Sequence, residues 1–384
     1  MNICIATSAF PINSNEPYHR YIDDLIKILV KNNHVVTILT QEKKGQKENF
    51  HPGIEVIWFP WKMTGKIGLA EISLKKLKDI ISTFSLIFNG VKYCRKITKE
   101  KNIDLFICLW IVPSGLYIFL KNIISPQTPY FLWALGSDVN NYKDNLITRF
   151  FLRLIIRNSK AVFADGFELC ENIRKISGRE CEFLPTFHKI NIPENAGKKN
   201  NNPGKEISFL YVGRLTHIKG VDILADSFRI LKKENSHLNF KCNIIGDGEL
   251  MPLLVNELRK NELESSVFLL GKIMDEKKFS EYFSSADCII IPSRSESIPI
   301  VLSEAIQFGK PVIVSNAGDM EFLVKKYNLG LVAEKEDSAS LAGAIKKFIA
   351  KPLQINQDDR NTLLNNLLFE KSSRKLLNTI SNVK

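Results

Sequence analysis

The sequence predicts an α/β protein made of two doubly wound parallel-sheet domains. Three observations predict it. Short apolar runs alternate with segments of helical period along the whole chain. The 384 residues exceed one ordinary core and suit two domains. The alternation is interrupted at 189–206 by KINIPENAGKKNNNPGKE, a stretch rich in Asn, Lys, Gly and Pro with no period, which reads as a linker.

The first domain is expected over 1–188. NICIAT (2–7), HVVTILT (34–40) and IEVIWFP (54–60) are its first three strands, with a helix at YIDDLIKILVKN (21–32). The segment 74–97 carries apolar residues at 74, 77, 80, 81, 84, 87, 88 and 91, a helical stripe with lysines opposite. That stripe reads as core-facing, with a membrane surface as the alternative because lysines are dense there. The longest apolar run, IDLFICLWIVPSGLYIFL (103–120), opens with Asp104 and is broken by PSG. It reads as a strand, a turn and a helix rather than a membrane span. PYFLWALG (129–136) and AVFADG (161–166) complete the strands of this half.

The second domain is expected over 207–356. Its strands are ISFLYVG (207–213), FKCNIIG (240–246), VFLLG (267–271), CIIIPS (288–293), PVIVS (311–315) and LGLVA (329–333), with amphipathic helices between them. The remaining 357–384 reads as a polar helix pair or one long helix that packs back on the first domain.

Composition narrows the function. Hydrophobic residues are 45% and charged residues 24%, which disfavours disorder. MNICIATSAF has neither the basic nor the long apolar region of a signal peptide, so the cytoplasmic side is expected. The seven cysteines form no CxxC and no Cys/His cluster. They are expected reduced and buried, and no metal is expected. Net charge is +12, and 62–101 holds ten basic residues against three acidic ones. That excess suits an anionic partner (membrane surface, nucleic acid or phosphate), or is a solvated lysine face.

Three motifs carry chemistry. In YVGRLTHIKGVDIL (211–224), a strand ends at Gly213, and Arg214 and Lys219 flank the loop before a helix that Gly220 opens. Backbone N–H groups, a guanidinium and an ammonium there make an anion site that fits a diphosphate. Neither GxGxxG nor GxxxxGK[ST] occurs, which disfavours nicotinamide enzymes and ATPases. In IIGDGELMPLL (244–254), Gly246 and Gly248 permit close backbone approach to a ligand, and Asp247 either faces it or caps the next helix. In RSESIPIVLSEA (294–305), Glu296 lies in the loop after a strand and Glu304 about one and a half turns into a helix that begins near Pro299. Taken singly, each of these charges could be an ordinary surface charge.

Together and in this order, the motifs resemble the second domain of the family-4 glycosyltransferases, retaining nucleotide-sugar-dependent enzymes of the GT-B fold. The resemblance rests on Gly213-Arg214, Lys219-Gly220, Gly246-Asp247-Gly248, Glu296 and Glu304 with seven residues between them, Ala305, and Gly309-Lys310-Pro311-Val312, and covers about 207–350. It implies two Rossmann-like domains facing a cleft. It implies a UDP- or GDP-sugar donor on Gly213, Arg214, Lys219, Gly246, Asp247, Gly248, Glu296, Ser297, Ile298 and Glu304, with no obligatory cofactor. Arg214 and Lys219 would hold the diphosphate, Glu296 would lie near the sugar, and Glu304 would reach the ribose.

WALGSDV (133–139) resembles the family's acceptor-side GSD segment, which makes Gly136, Ser137 and Asp138 acceptor-side candidates. His19, in PYHRYIDD, joins them. Glu296, Arg214, Lys219 and Asp138 are the catalytic candidates. Two departures bear on the acceptor geometry: Leu135 stands where many relatives carry His, and PINSNEP (11–17) lacks a glycine pair. The expected function is retaining transfer to a saccharide or lipid-linked acceptor in cell-surface polysaccharide or glycolipid synthesis, with peripheral contact to anionic membrane and no nucleic acid. The alternatives are an inactive sugar-nucleotide-binding partner subunit and a nucleotide-sugar epimerase.

Overall fold

A computed structural model describes residues 1–12, 21–45, 53–62, 77–190, 192, 206–235 and 238–383. The chain divides into two compact units, Met1–Thr186 with Ser372–Lys384, and Phe187–Lys371. His19, most of the 189–206 linker and residues 63–76 of the basic segment lie outside the described residues.

Unit 1 is a seven-stranded parallel sheet. β1 (Asn2–Ala6), β2 (Val35–Gln41), β3 (Glu55–Phe59), β4 (Leu105–Leu109), β5 (Tyr130–Ala134), β6 (Ala161–Ala164) and β7 (Glu182–Phe183) run in the order β3-β2-β1-β4-β5-β6-β7. The central strands β4 and β5 are buried at every residue, as a sheet covered on both faces requires. Its helices are α1 (Tyr21–Lys31), α2 (Leu77–Glu100), α3 (Leu116–Ile124), the single turn α4 (Ser137–Asn140), α5 (Leu146–Arg157) and α6 (Phe167–Ser177). The crossovers from β3 onward all step the same way across the sheet. Right-handed connections therefore put α2, α3, α5 and α6 on one face. One core cluster joins Leu86, Ile97, Ile118, Ile155 and Ile173 of these helices to alternate strand residues such as Cys4, Cys108 and Leu132.

α2 corrects an expectation. Its stripe was read as core-facing with lysines opposite, yet Leu77, Ile81, Phe84 and Phe88 are exposed, the two phenylalanines at 70%. The buried face is instead Asp79, Ser82, Leu86, Gly90, Cys94 and Ile97. Small residues sit there because α2 lies close against α3: a Cβ on Gly90 would stand 2.7 Å from the Tyr117 ring. The basic residues Lys92, Arg95, Lys96 and Lys99 continue the exposed row rather than opposing it.

Unit 2 is a six-stranded parallel sheet of β8 (Ile207–Val212), β9 (Phe240–Ile245), β10 (Val267–Gly271), β11 (Cys288–Ile291), β12 (Val312–Ser315) and β13 (Gly330–Ala333). Their order is β10-β9-β8-β11-β12-β13. Strand order reverses between β8 and β11, so the loops after these two strands diverge. That is where doubly wound sheets hold ligands. α7 (Val221–Glu234), α8 (Met251–Lys260) and, later in the chain, α12 (Ser338–Ala350) cover one face around Phe209, Cys242 and Ile313. α9 (Glu276–Ser285), α10 (Ile300–Gln307) and α11 (Met320–Lys326) complete the crossovers.

The C-terminal region forms three helices, α13 (Gln357–Leu367), α14 (Phe369–Ser372) and α15 (Arg374–Ser381), rather than a pair or one rod. The break comes at Leu368, which is extended and forms a parallel bridge with Phe187. All seven cysteines are unpaired and buried. No helix among the described residues is long and apolar enough to cross a membrane.

Candidate active site

In unit 2 the loops after β8, β9, β11 and β12 interlock through their backbones. Leu215 N–H donates to the Asp247 carbonyl at 2.9 Å, and Leu250 N–H donates to the Leu215 carbonyl at 3.0 Å. A Cβ on Gly246, which sits at φ 146°, would overlap the Gly213 carbonyl. A Cβ on Gly248 would press on the Leu215 backbone. These two glycines were expected to admit a ligand. The close approach they permit here is to the neighbouring loop of the same chain. Asp247 caps no helix: its Oδ1 accepts from Gly248 N–H at 2.7 Å, and α8 starts later, at Met251.

The loop after β8 rises to a short 3₁₀ turn, His217–Lys219, and Gly220 then opens α7. Gly220 is left-handed at φ 67° and abuts the Pro292 carbonyl, so the β8 and β11 loops meet at the strand-order reversal. There Lys219 Nζ pairs with Glu296 Oε1, both side chains largely shielded, at 24% and 13% exposure. Ser293 Oγ donates to the same carboxylate oxygen at 3.1 Å. Arg214, in contrast, is exposed, and its guanidinium makes no hydrogen bond or ion pair among the described residues. Its backbone is held by Tyr211, whose hydroxyl donates to the Arg214 carbonyl at 3.1 Å.

Two features that the sequence did not single out fix this arrangement. Arg294 forks onto both oxygens of Asp222 at 2.8 Å each, and its backbone N–H donates to the Ile218 carbonyl at 2.8 Å. It thus ties the Glu296 loop to the Lys219 loop through a bidentate pair. Burial alone would raise the Asp222 carboxyl, but the Arg294 hydrogen bonds and charge hold it below its ordinary value. The second feature is Gly318, at φ 54°, where any Cβ would overlap the Glu296 carbonyl. The next residue, Asp319, donates its N–H to the Ser297 carbonyl at 3.2 Å. Neither was visible from sequence, because their partners lie far along the chain.

Ile298 is buried, and Pro299 stands as the residue before α10 in extended conformation, one position earlier than first helical. Glu304 is on the second turn of α10 and half-buried. The structure therefore gathers Arg214, Lys219, Glu296 and Ser297 on loops of one edge, and sets Glu304 on the helix that follows.

In unit 1, Gly136 (φ 97°) turns the chain after β5 into α4. Asp138 is 2% exposed, and both its oxygens are engaged. Oδ2 accepts from Ile111 N–H at 2.6 Å and Oδ1 from Leu135 N–H at 3.1 Å. Burial pushes its carboxyl up to about 6 against the pull of these amides. Asp138 thus pins the loop after β4 to the turn after β5. Leu135 enters this link through its backbone, which any residue could supply.

Residues 193–364, which span the interlocked loops, match the family described as glycosyl transferases group 1. An uncharacterized glycosyltransferase of Methanocaldococcus jannaschii is 30% identical over 301 residues, covering 76% of this chain and 75% of its own. The chain belongs to the group 1 glycosyltransferases. A capsular polysaccharide biosynthesis glycosyltransferase of Staphylococcus aureus is 28% identical over 298 residues, covering 73% of this chain and 78% of its own. The solved structure of Anabaena HepE in complex with UDP and glucose superposes with a TM-score of 0.71 at 15% identity, covering 99% of each chain. The fold of this group 1 glycosyltransferase is therefore GT-B. Among its described residues, no three His, Cys, Asp or Glu side chains are grouped to hold a metal ion.

Proposed function

We propose that this glycosyltransferase transfers a hexosyl group, with retention, from a UDP- or GDP-sugar to a saccharide or lipid-linked acceptor in cell-surface polysaccharide or glycolipid synthesis. One observation carries the reading: Lys219 and Glu296 meet at the strand-order reversal of unit 2, and the Lys219 loop also presents Arg214, whose guanidinium has no partner among the described residues. Two cations beside loop N–H groups suit a diphosphate. The similarity to a relative named for capsular polysaccharide, and to a fold solved with UDP, supports the donor and acceptor classes.

The mechanism follows from charge. As the bond between sugar and diphosphate breaks, negative charge grows on the departing phosphate. Arg214 and Lys219 stabilise it there, more strongly in the transition state than in the bound donor. Glu296 holds the Lys219 ammonium in place and turns its own carboxylate toward the sugar side. The acceptor hydroxyl attacks on the face the phosphate leaves, and the phosphate takes its proton, so no side-chain nucleophile is needed. Glu304 accepts from the ribose hydroxyls. Asp138 positions the acceptor-side turn rather than moving a proton, because both its oxygens are occupied by amides.

The test is a thermal-shift screen against UDP, GDP, ADP and CMP. One diphosphate class should stabilise the protein, by about 2.7 kcal/mol at a hundredfold excess over its dissociation constant. Arg214→Ala and Glu304→Ala should abolish the shift. Silence with every nucleotide would count against the reading. A shift without transfer or slow donor hydrolysis would favour a sugar-nucleotide-binding subunit.

A further inference from the structure

Unit 1 exposes two rows of large apolar side chains. The first is Leu77, Ile81, Phe84 and Phe88 on α2. The second is Leu146, Ile147, Phe150 and Phe151 on α5, where Leu146 is 82% exposed. Both rows occupy the N-terminal halves of their helices. In a parallel sheet a crossover helix runs against the strands, so each of these halves lies toward the carboxyl edge of the sheet. Both helices also share one face of it, with α3 in the layer between them. The rows are thus at the same end of the same layer, the edge that carries the turn pinned by Asp138.

Cations outnumber carboxylates beside these rows, whose acidic neighbours include Asp144 before α5, Glu171 on α6 and Glu100 at the end of α2. α5 contains no acidic residue, and Arg149 and Arg153 lie exposed among its apolar residues with no partner among the described residues. A groove of about 390 Å³ between α5 and α6 is lined by Arg149 and Arg153 beside Leu146 and Phe150, with Arg174 and Lys175 of α6, both paired with Glu171, on its other side. On α2 the exposed row continues as Lys92, Arg95, Lys96 and Lys99 before Glu100 ends the helix. Apolar side chains flanked by cations are what an anionic bilayer surface takes: rings enter the headgroup layer and guanidinium or ammonium groups meet lipid phosphate. A protein partner covering this much apolar surface would be expected to meet a more even mix of charges, and on α5 itself the exposed charges are all basic.

We propose that unit 1 docks on an anionic lipid bilayer through the carboxyl-edge halves of α2 and α5, with a lipid phosphate seated in the groove beside Arg149 and Arg153. The docking deepens the lipid-linked acceptor reading and rests on it for its purpose. It turns the acceptor-side edge of unit 1 toward the surface on which such an acceptor lies.

The test is co-sedimentation of the full chain with phosphatidylcholine vesicles, with and without phosphatidylglycerol. Binding is expected with phosphatidylglycerol, weakening as salt rises. Phe84→Glu with Phe88→Glu, and separately Phe150→Glu with Phe151→Glu, should each lower the affinity about tenfold or more. Arg149→Gln with Arg153→Gln should erase the preference for phosphatidylglycerol. Leu253→Glu, on an exposed apolar residue of unit 2, should bind like the parent. Absence of vesicle binding, or equal binding by both phenylalanine pairs and the parent, would overturn the proposal. So would a parent dimer that these substitutions convert to monomer without vesicles, since a second copy would then cover the face. Nucleotide thermal shift is read on the same samples. If it fails while vesicle binding holds, the donor reading falls and the docking surface stands.

Discussion

At the scale of single residues, the site depends on contacts that carry no chemistry of their own. Arg294→Ala should leave Asp222 without its fork and let the Lys219 and Glu296 loops separate. Unit 2 should lose about 1–3 kcal/mol in urea unfolding, and the nucleotide shift should shrink although no proposed donor contact is removed. Gly246→Ala should cost more, because the new Cβ meets the Gly213 carbonyl at a φ that L residues avoid. Roughly 2 kcal/mol or more is expected, read as a lower unfolding midpoint. Asp138 gives a pH signature. Its folded carboxyl lies near 6, above the ordinary 3.8, so the folded state binds the extra proton. The associated stability is complete below about pH 4 and is lost as pH rises through about 6. Urea unfolding from pH 4 to 7 should show parent stability falling by about 2–3 kcal/mol relative to Asp138→Asn across that window.

At the scale of elements, α2 separates exposure from importance. Gly90→Leu should drive a side chain into the Tyr117 ring and destabilise unit 1 by about 1–3 kcal/mol, measured by thermal unfolding. Phe84→Ser, a larger loss of apolar surface, should leave stability within about 0.5 kcal/mol, because Phe84 already faces out. This is also where the sequence reads least well. The strands were legible because buried parallel strands are nearly continuous apolar runs: CIII and VIVS cannot be mistaken for surface. The face of α2 was not legible. A period of 3.6 reports which residues share a side, not which side is buried, and close packing on α3 put Ser82, Gly90 and Cys94 inward. β7 escaped because two residues, Glu182 and Phe183, have no period. In the candidate site, the charged residues and glycines could be named from local pattern. The role of Gly246 as a seat for Gly213, and the Arg294–Asp222 fork across 72 positions, depend on tertiary neighbours that local pattern does not encode.

At the scale of the whole molecule, the matched family segment and the compact units do not share boundaries. Residues 193–364 fall inside unit 2, whereas unit 1 takes both the beginning and the end of the chain. Leu376 and Ile380 of α15 are each 1% exposed. Leu376→Ala with Ile380→Ala should therefore destabilise unit 1 by about 4 kcal/mol or more while sparing the nucleotide shift of unit 2, read together by calorimetry with and without UDP.

The return of α15 also orders events during synthesis. The strands of unit 1 leave the ribosome before unit 2, yet its helix α15 follows unit 2. Unit 2 has every residue it needs once Lys371 has emerged, so the domain begun second can be completed first. A nascent chain stalled once Lys371 has emerged would carry a finished unit 2 and a first sheet still awaiting its closing helix. Completion of unit 1 is thereby deferred until α15 has emerged.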